Sequence, residues 1–389
     1  MKKLFTLMLL MLATQVQAQI FIPIILPTQT SIGIDSENIG DDYITWSQKA
    51  VDFGNFKGFR KSYEKDDYKI ALSTYLMRKK TKIGNTTYNY NYNKTFYNTQ
   101  KSWVNRNADL ESLQKMCQLE FDLWQLCAQK AAINYNTNNN MTIRDMHSLM
   151  ESEFQRLSNK IEKETDEGHD AIRVADIDDN ILREIESLSF NPEEAIKDKK
   201  EGWGMEFSFG LQSHTPFTEY VNSAYGCYFD VGFSHVKHLF GLGANAEFFG
   251  KCQRDIPTSK GTILKGEGVV AGEMNLYYGY RTSYNKSVNL TPFVNIGARF
   301  YDGGTPDFPK KDNDTCEKSG LSLDAGMMFD IPVKRTVDIK LTSEKSSNYN
   351  TNSIQLKPYL SMTHFSGPMG WVPSINIAVG YKLQTTTLK

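Results

Sequence analysis

No stretch of this 389-residue chain is long and apolar enough to cross a membrane as a helix, because the hydrocarbon core demands about 20 consecutive apolar residues. Neither sign of charge is in surplus: 44 Lys and Arg face 45 Asp and Glu, a formal net charge of −1. A nucleic-acid partner is therefore not expected, since that function calls for a basic face. Cysteines are scarce, five in all (Cys117, Cys127, Cys227, Cys252 and Cys316), and their spacings match no zinc pattern. There is no glycine-rich phosphate loop and no nucleophile elbow. These absences leave no cofactor, no metal and no catalytic residue to assign, and the chain reads as a non-enzyme. The mean hydropathy of −0.47 argues against a bundle of membrane helices. It does not argue against a membrane barrel, whose lipid-facing side chains occupy only every second position.

The chain opens on what looks like an export leader. Lys2 and Lys3 precede the apolar run Leu4 to Ala13, and Val16-Gln17-Ala18 offers small residues for cleavage, so residues 1–18 read as a signal peptide. No cysteine lies near the cut, which argues against a lipoprotein anchor. Export permits disulfides, and the odd cysteine count leaves at least one thiol free or intermolecular.

Residues 19–105 read as a mixed segment: an apolar strand or arm at Ile20 to Leu26, a helix around Asp67 to Lys79, and a Tyr/Asn-rich strand or loop at Thr86 to Asn98. Residues 106–190 carry helical periodicity. Leu110, Leu113, Cys117, Phe121, Trp124, Ala128 and Ala131 form one stripe; Ile143, Met146, Met150, Phe154, Leu157 and Ile161 form a second. Asn134 to Asn140 separates them, and Thr142 with Asp145 resembles a capping box. A shorter pattern (Ile177, Ile181, Leu182, Ile185 and Leu188) makes the expected unit a helical hairpin or a three-helix bundle. Its apolar stripes either form its own core or meet a partner, a periplasmic protein or a second copy. Asp176, Asp178 and Asn180 imitate the start of a calcium loop. Ile181 stands where glycine belongs, however, and Ser187 where a bidentate glutamate belongs, so helix capping is the preferred reading. Residues 191–202 turn charged and read as a tether.

From residue 203 the period drops to two. Trp203, Met205, Phe207, Phe209 and Leu211 alternate with Gly204, Glu206, Ser208, Gly210 and Gln212. The same alternation recurs at 225–234, 240–248, 267–281, 289–300, 321–331, 354–363 and 375–383. The apolar set carries no charge, although 23% of the chain is charged. Segments of about 9–11 residues match tilted strands that cross a hydrocarbon layer, and aromatics near strand ends (Trp203, Tyr225, Phe233, Phe240, Tyr278, Tyr280, Phe300 and Tyr381) match interfacial girdles. The expectation for 203–389 is an up-and-down transmembrane antiparallel β-barrel of about eight strands behind a mainly helical N-terminal domain, an α+β multidomain chain. Pro358 within the seventh strand sits badly in a closed ladder. Val337, Ile339 and Leu341 prolong an alternation where a turn is expected, which leaves ten strands as the alternative count.

The pattern resembles the small OmpA/OmpX-type outer-membrane barrels, and Gly380-Tyr381-Lys382-Leu383 is similar to their terminal insertion signal. The resemblance covers 203–383 and is architectural; the helical region lies outside it. An eight-stranded barrel is just wide enough for its own side chains. The inward set, Glu206, Asp230, Glu247, Glu273 and Asp324 with Arg281, Arg299, Lys357 and Lys382, is expected to pair and plug the lumen, because a lone buried charge is costly. A selective ion path is the competing use of those residues. With both barrel ends periplasmic, segments 213–224, 249–266, 301–319 and 365–373 face outward, and Cys252 with Cys316 is the candidate disulfide.

The functional expectation is an outer-membrane protein that anchors, or serves envelope assembly or partner binding, held in lipid and carrying a periplasmic helical extension. One rival is a rim enzyme acting on lipid or peptide, to which His214 and His364 would contribute. The other is a soluble secreted binding barrel with its apolar face turned inward. His235 and His238 are read as turn-surface residues, not as a metal pair.

Overall fold

The structure is a computed structural model that describes residues 42–46, 51–64, 66–138, 140–166, 168–258, 261–285, 288–303, 316–340 and 347–388. The leader at 1–18, the segment 20–26 and Leu341 lie outside the described residues. Two compact units emerge, and they are not consecutive in sequence. The first comprises residues up to Met77, Tyr92–Ala132 and His147–Leu188; the second comprises Arg78–Asn91, Ile133–Met146 and Ser189–Lys389.

The N-terminal elements are β1 (Tyr43–Thr45), β2 (Tyr68–Lys69), β3 (Leu72–Ile83), β4 (Thr86–Asn98) and β5 (Trp103–Val104). The helix expected at Asp67 to Lys79 is therefore a pair of strands. Its β-branched and aromatic residues (Ile70, Thr74, Tyr75) favour extended backbone. Gly84, held at φ 58°, closes the two-residue turn between β3 and β4. The Tyr/Asn-rich segment is β4, with Tyr90, Asn91, Asn93 and Thr95 buried.

Three helices follow: α1 (Leu110–Thr137), α2 (Ile143–Glu164) and α3 (Ala171–Ser187). The capping box at the start of α2 is formed: Thr142 N–H donates to Asp145 Oδ2 at 2.8 Å, and Asp145 N–H to Thr142 Oγ1 at 3.1 Å. In the first unit, the stripe of α1 contributes Cys117 and Phe121 to a core with Val51, Phe53, Phe56, Ile70 and Tyr97. Trp124 meets the Phe154 ring edge-on at 5.0 Å. The capping reading of Asp176, Asp178 and Asn180 is corrected. All three sit inside α3, and the residue that caps it is Asp170, whose side chain accepts from Arg173 N–H. Among the described residues no His/Cys/Asp/Glu group is placed to hold a metal ion, and no helix is long and apolar enough to cross a membrane.

Two carboxyls of this first unit are held near neutrality by burial. Glu120 is pushed up to about 7, with Glu162 and Asp66 adding to the effect while the hydroxyl of Tyr68, donating at 2.6 Å, opposes it. Asp178 is likewise pushed up to about 7 by burial and by the Asp122 carboxyl beside it. An acid raised in the folded state favours its neutral form there. Its stabilising contribution is complete below the unfolded carboxyl range and is lost as pH climbs toward 7. We expect the helical unit to melt at lower temperature at pH 8 than at pH 5. Glu120→Gln should remove about 1–2 kcal/mol of that pH dependence, as read from circular-dichroism melts at both pH values.

The helix α4 (Pro192–Ile196) lies within the expected tether, with Pro192 in its first turn and Asn191 capping it. The barrel strands then follow. These are β6 (Glu201–Pro216), β7 (Ala224–His235), β8 (His238–Lys251), β11 (Gly268–Tyr280), β13 (Val288–Gly303), β14 (Cys316–Asp338), β15 (Ser347–Phe365) and β16 (Gly370–Leu388). A small hairpin, β9 (Ile256–Thr258) and β10 (Gly261–Ile263), decorates one connection, and β12 (Thr282–Asn285) pairs beside β13. Each barrel strand pairs antiparallel with the next, and β16 pairs with β6. The sheet is thus a closed eight-stranded up-and-down barrel with no free edge.

The two doubtful features resolve physically. Pro358 lies within β15, where the bridges to β14 skip Met327 and Met328 although the register is the same on both sides of the gap. A missing N–H interrupts the ladder without ending the strand. The alternation at Val337 belongs to the sixth strand itself. Beyond an irregularity at Pro332/Lys334, β14 runs on past the barrel. There it pairs in parallel with β4, Arg335 to Asp338 against Thr86 to Asn89. Val337 and Ile339 are buried there with Tyr88, Tyr90 and Leu388. Lys340 Nζ donates to Asn138 O at 2.5 Å and to Met141 O, and lies 4.1 Å from the Tyr135 ring.

Candidate functional site: the barrel interior

Alternation fixes which side chains enter the barrel, and the structure divides them sharply. Outward residues are exposed and apolar: Leu276 is 59% exposed, Val294 55% and Leu360 61%. Inward residues are buried and in large part polar or charged. A bulge in the β8–β11 pairing, between Val269 and Ala271, breaks the rule locally. Phe249, at φ 66°, points outward beside Phe248, which is how a bulge re-aims side chains.

The nine charged residues expected in the lumen are all brought together there. Arg299 is fully buried and forks between two carboxylates, Nη1 to Glu247 Oε2 at 3.0 Å and Nη2 to Glu273 Oε2 at 2.5 Å. Gln212 donates to Glu247 at 2.7 Å. Asp324 accepts from Ser322 at 2.8 Å and from Asn295 at 3.2 Å. Lys357 pairs with Asp230 at 2.9 Å. Lys382 bridges Glu206 at 3.0 Å and Asp330 at 2.8 Å, and Arg281 also pairs with Glu206. Each cation thus has a carboxylate partner, which a buried charge requires.

Three features escaped the sequence reading. Asp330, in the alternating segment 321–331, belongs to the network as well: it accepts from Lys382 and from Gln355 at 2.9 Å. The inward set is also more aromatic than expected. The Lys357 ammonium is encircled by Phe293, Tyr277, Tyr228 and Tyr359, 5.0 to 5.8 Å from their ring centres, so cation–π attraction supplements its ion pair. Strand parity was the available signal: Tyr277 and Tyr359 share the parity of inward Glu273 and Lys357. Finally, one end of the lumen is covered by an apolar cluster in which Tyr220, Ile256, Ile263, Tyr301, Phe365 and Met369 are buried. Tyr220, Ile256, Ile263 and Met369 come from three connections and Tyr301 and Phe365 from strand ends, and they could not be paired from sequence.

The cysteine expectation is corrected: Cys252 and Cys316 are free thiols, as are the other three. Cys252 Sγ lies 2.9 Å from Arg254 O, and Cys316 packs against the apolar cluster that contains Cys252. The two histidines a rim enzyme would draw on do not meet. His214 is buried, with Nδ1 2.7 Å from Asn376 Oδ1 and Nε2 3.3 Å from the Tyr301 hydroxyl. His364 lies against Trp371 at 4.9 Å. His235 and His238 flank a tight turn on which Val236 has φ 55°. His238 contacts the Tyr278 hydroxyl at 2.9 Å, and His235 lies over Trp203.

No family model matches the chain, and no curated protein matches it. The solved structures it is similar to include three small barrels, each covering less than half of this chain. Ail, the attachment invasion locus protein of Yersinia pestis, is 11% identical, covering 46% of this chain and 99% of its own with a TM-score of 0.28. Neisserial surface protein A is 9% identical, covering 46% and 96% with a TM-score of 0.29. The outer membrane protein OprG of Pseudomonas aeruginosa is 10% identical, covering 48% and 97% with a TM-score of 0.25.

Proposed function

We propose that the chain is an outer-membrane barrel whose lumen is closed by its own ion pairs, and that it anchors a periplasmic helical extension as a structural, assembly or partner-binding element of the envelope. The observation that carries this reading is the inversion of the barrel's two faces. Large apolar side chains stand exposed on every strand, while six carboxylates, two arginines and two lysines are enclosed. In water that arrangement would expose an apolar girdle far larger than the few hundred Å² a soluble monomer normally shows. In lipid it is the stable one.

A closed lumen follows from the same residues. Arg299 is fully buried against Glu247 and Glu273, four aromatic rings surround Lys357, and an eight-stranded barrel has little room to spare. In planar bilayers the purified full chain should show no steady, large conductance. A stable open current of porin size would contradict the closed lumen and favour an ion path through these carboxylates.

A further inference from the structure

From Tyr68 to Ala108 the chain contains no aspartate or glutamate, yet it concentrates Arg78, Lys79, Lys80 and Lys82 in five positions of β3. All four are exposed. Arg78 pairs with Asp338 at 3.3 Å, whereas Lys79, Lys80 and Lys82 make no ion pair among the described residues. Lysines on an edge strand also discourage edge-to-edge pairing, and a solvated basic strand would be the ordinary reading. Topology puts these lysines somewhere more specific. β4 pairs in parallel with the extension of β14, Thr86 beside Arg335 and Asn89 beside Asp338. The β3–β4 turn at Gly84-Asn85 therefore lies toward residues 333 and 334, back along β14 in the direction of the barrel. Those residues are where the outward apolar belt ends: Ile331 is 47% exposed, Val333 56%, and the next residue is the exposed Lys334. Since a strand rises about 3.3 Å per residue, the hairpin tip reaches the level at which lipid-facing side chains give way to polar ones.

We infer that the tip of this hairpin, through Lys79, Lys80 and Lys82 together with Lys334, is a contact surface for anionic phospholipid headgroups of the leaflet next to the β14–β15 connection. The inference rests on the membrane reading above. Its chemistry is simple: flexible ammonium groups held within a Debye length of a phosphate layer are attracted to it, and salt screens the attraction. The contact would steady the piece of chain that β14 recruits by strand pairing.

The test uses the full chain in lipid nanodiscs, comparing zwitterionic discs with discs containing phosphatidylglycerol, and reads amide hydrogen exchange across residues 78–91. Exchange should be about threefold slower or more in the anionic discs. The difference should vanish in about 0.5 M salt and in a K79E/K80E/K82E variant whose barrel strands remain as protected as before. Equal exchange in the two disc types, with the barrel strands protected, would overturn the contact and leave the membrane reading intact. Barrel strands that exchange freely in both discs would overturn the two together.

Discussion

Arg299→Met should destabilise the barrel by about 3–5 kcal/mol, the cost of leaving buried carboxylates without their cation. Arg299 is 0% exposed and holds Glu247 and Glu273 at once. Methionine keeps much of the volume and removes the fork, so the loss is electrostatic and not a cavity effect. The measurement is the urea midpoint of the full chain refolded in detergent micelles or vesicles. A triple variant that adds Glu247→Gln and Glu273→Gln removes the stranded charges and should recover most of the loss. Were the single and triple variants equally impaired, the centre of the lumen would be held by packing and not by charge pairing.

Leu276→Arg tests the opposite face. Leu276 is 59% exposed and pairs with Leu242 on β8 and Ile296 on β13, which are themselves 59% and 50% exposed. An arginine near the middle of a lipid belt costs about 2–4 kcal/mol. The variant should insert into vesicles poorly and unfold from them at lower urea. On a water-soluble barrel the same change, at an exposed leucine, would move stability by no more than about 0.5 kcal/mol. The sign and size of this single substitution therefore separate the two orientations.

The barrel was legible because its code is local. A period of two repeated on eight segments needs no knowledge of distant partners, and closure into an even-stranded up-and-down barrel follows from short connections. The same parity gave the inward charges. It also turns Tyr277, Phe293 and Tyr359 inward, where their size and apolar rings do not mark them out as residues of a polar lumen. Contacts set by long separations were not legible. Nothing near Thr86 announces that it will lie beside Arg335. The alternation at Val337 accordingly looked like a surplus strand, when it was the sixth strand seeking a second partner. The helix expected over Asp67 to Lys79 failed for a related reason. Gly84-Asn85 beyond it is a hairpin turn, and the sheet that turn closes outweighs a weak local preference.

Whether the exposed leucines and phenylalanines of the strands face lipid is settled most directly by removing detergent from the refolded full chain with and without preformed vesicles. The account predicts that the chain stays with the vesicles, resists extraction by alkaline carbonate, and precipitates when no bilayer is offered. A chain that remains dissolved and monodisperse in plain buffer would contradict it.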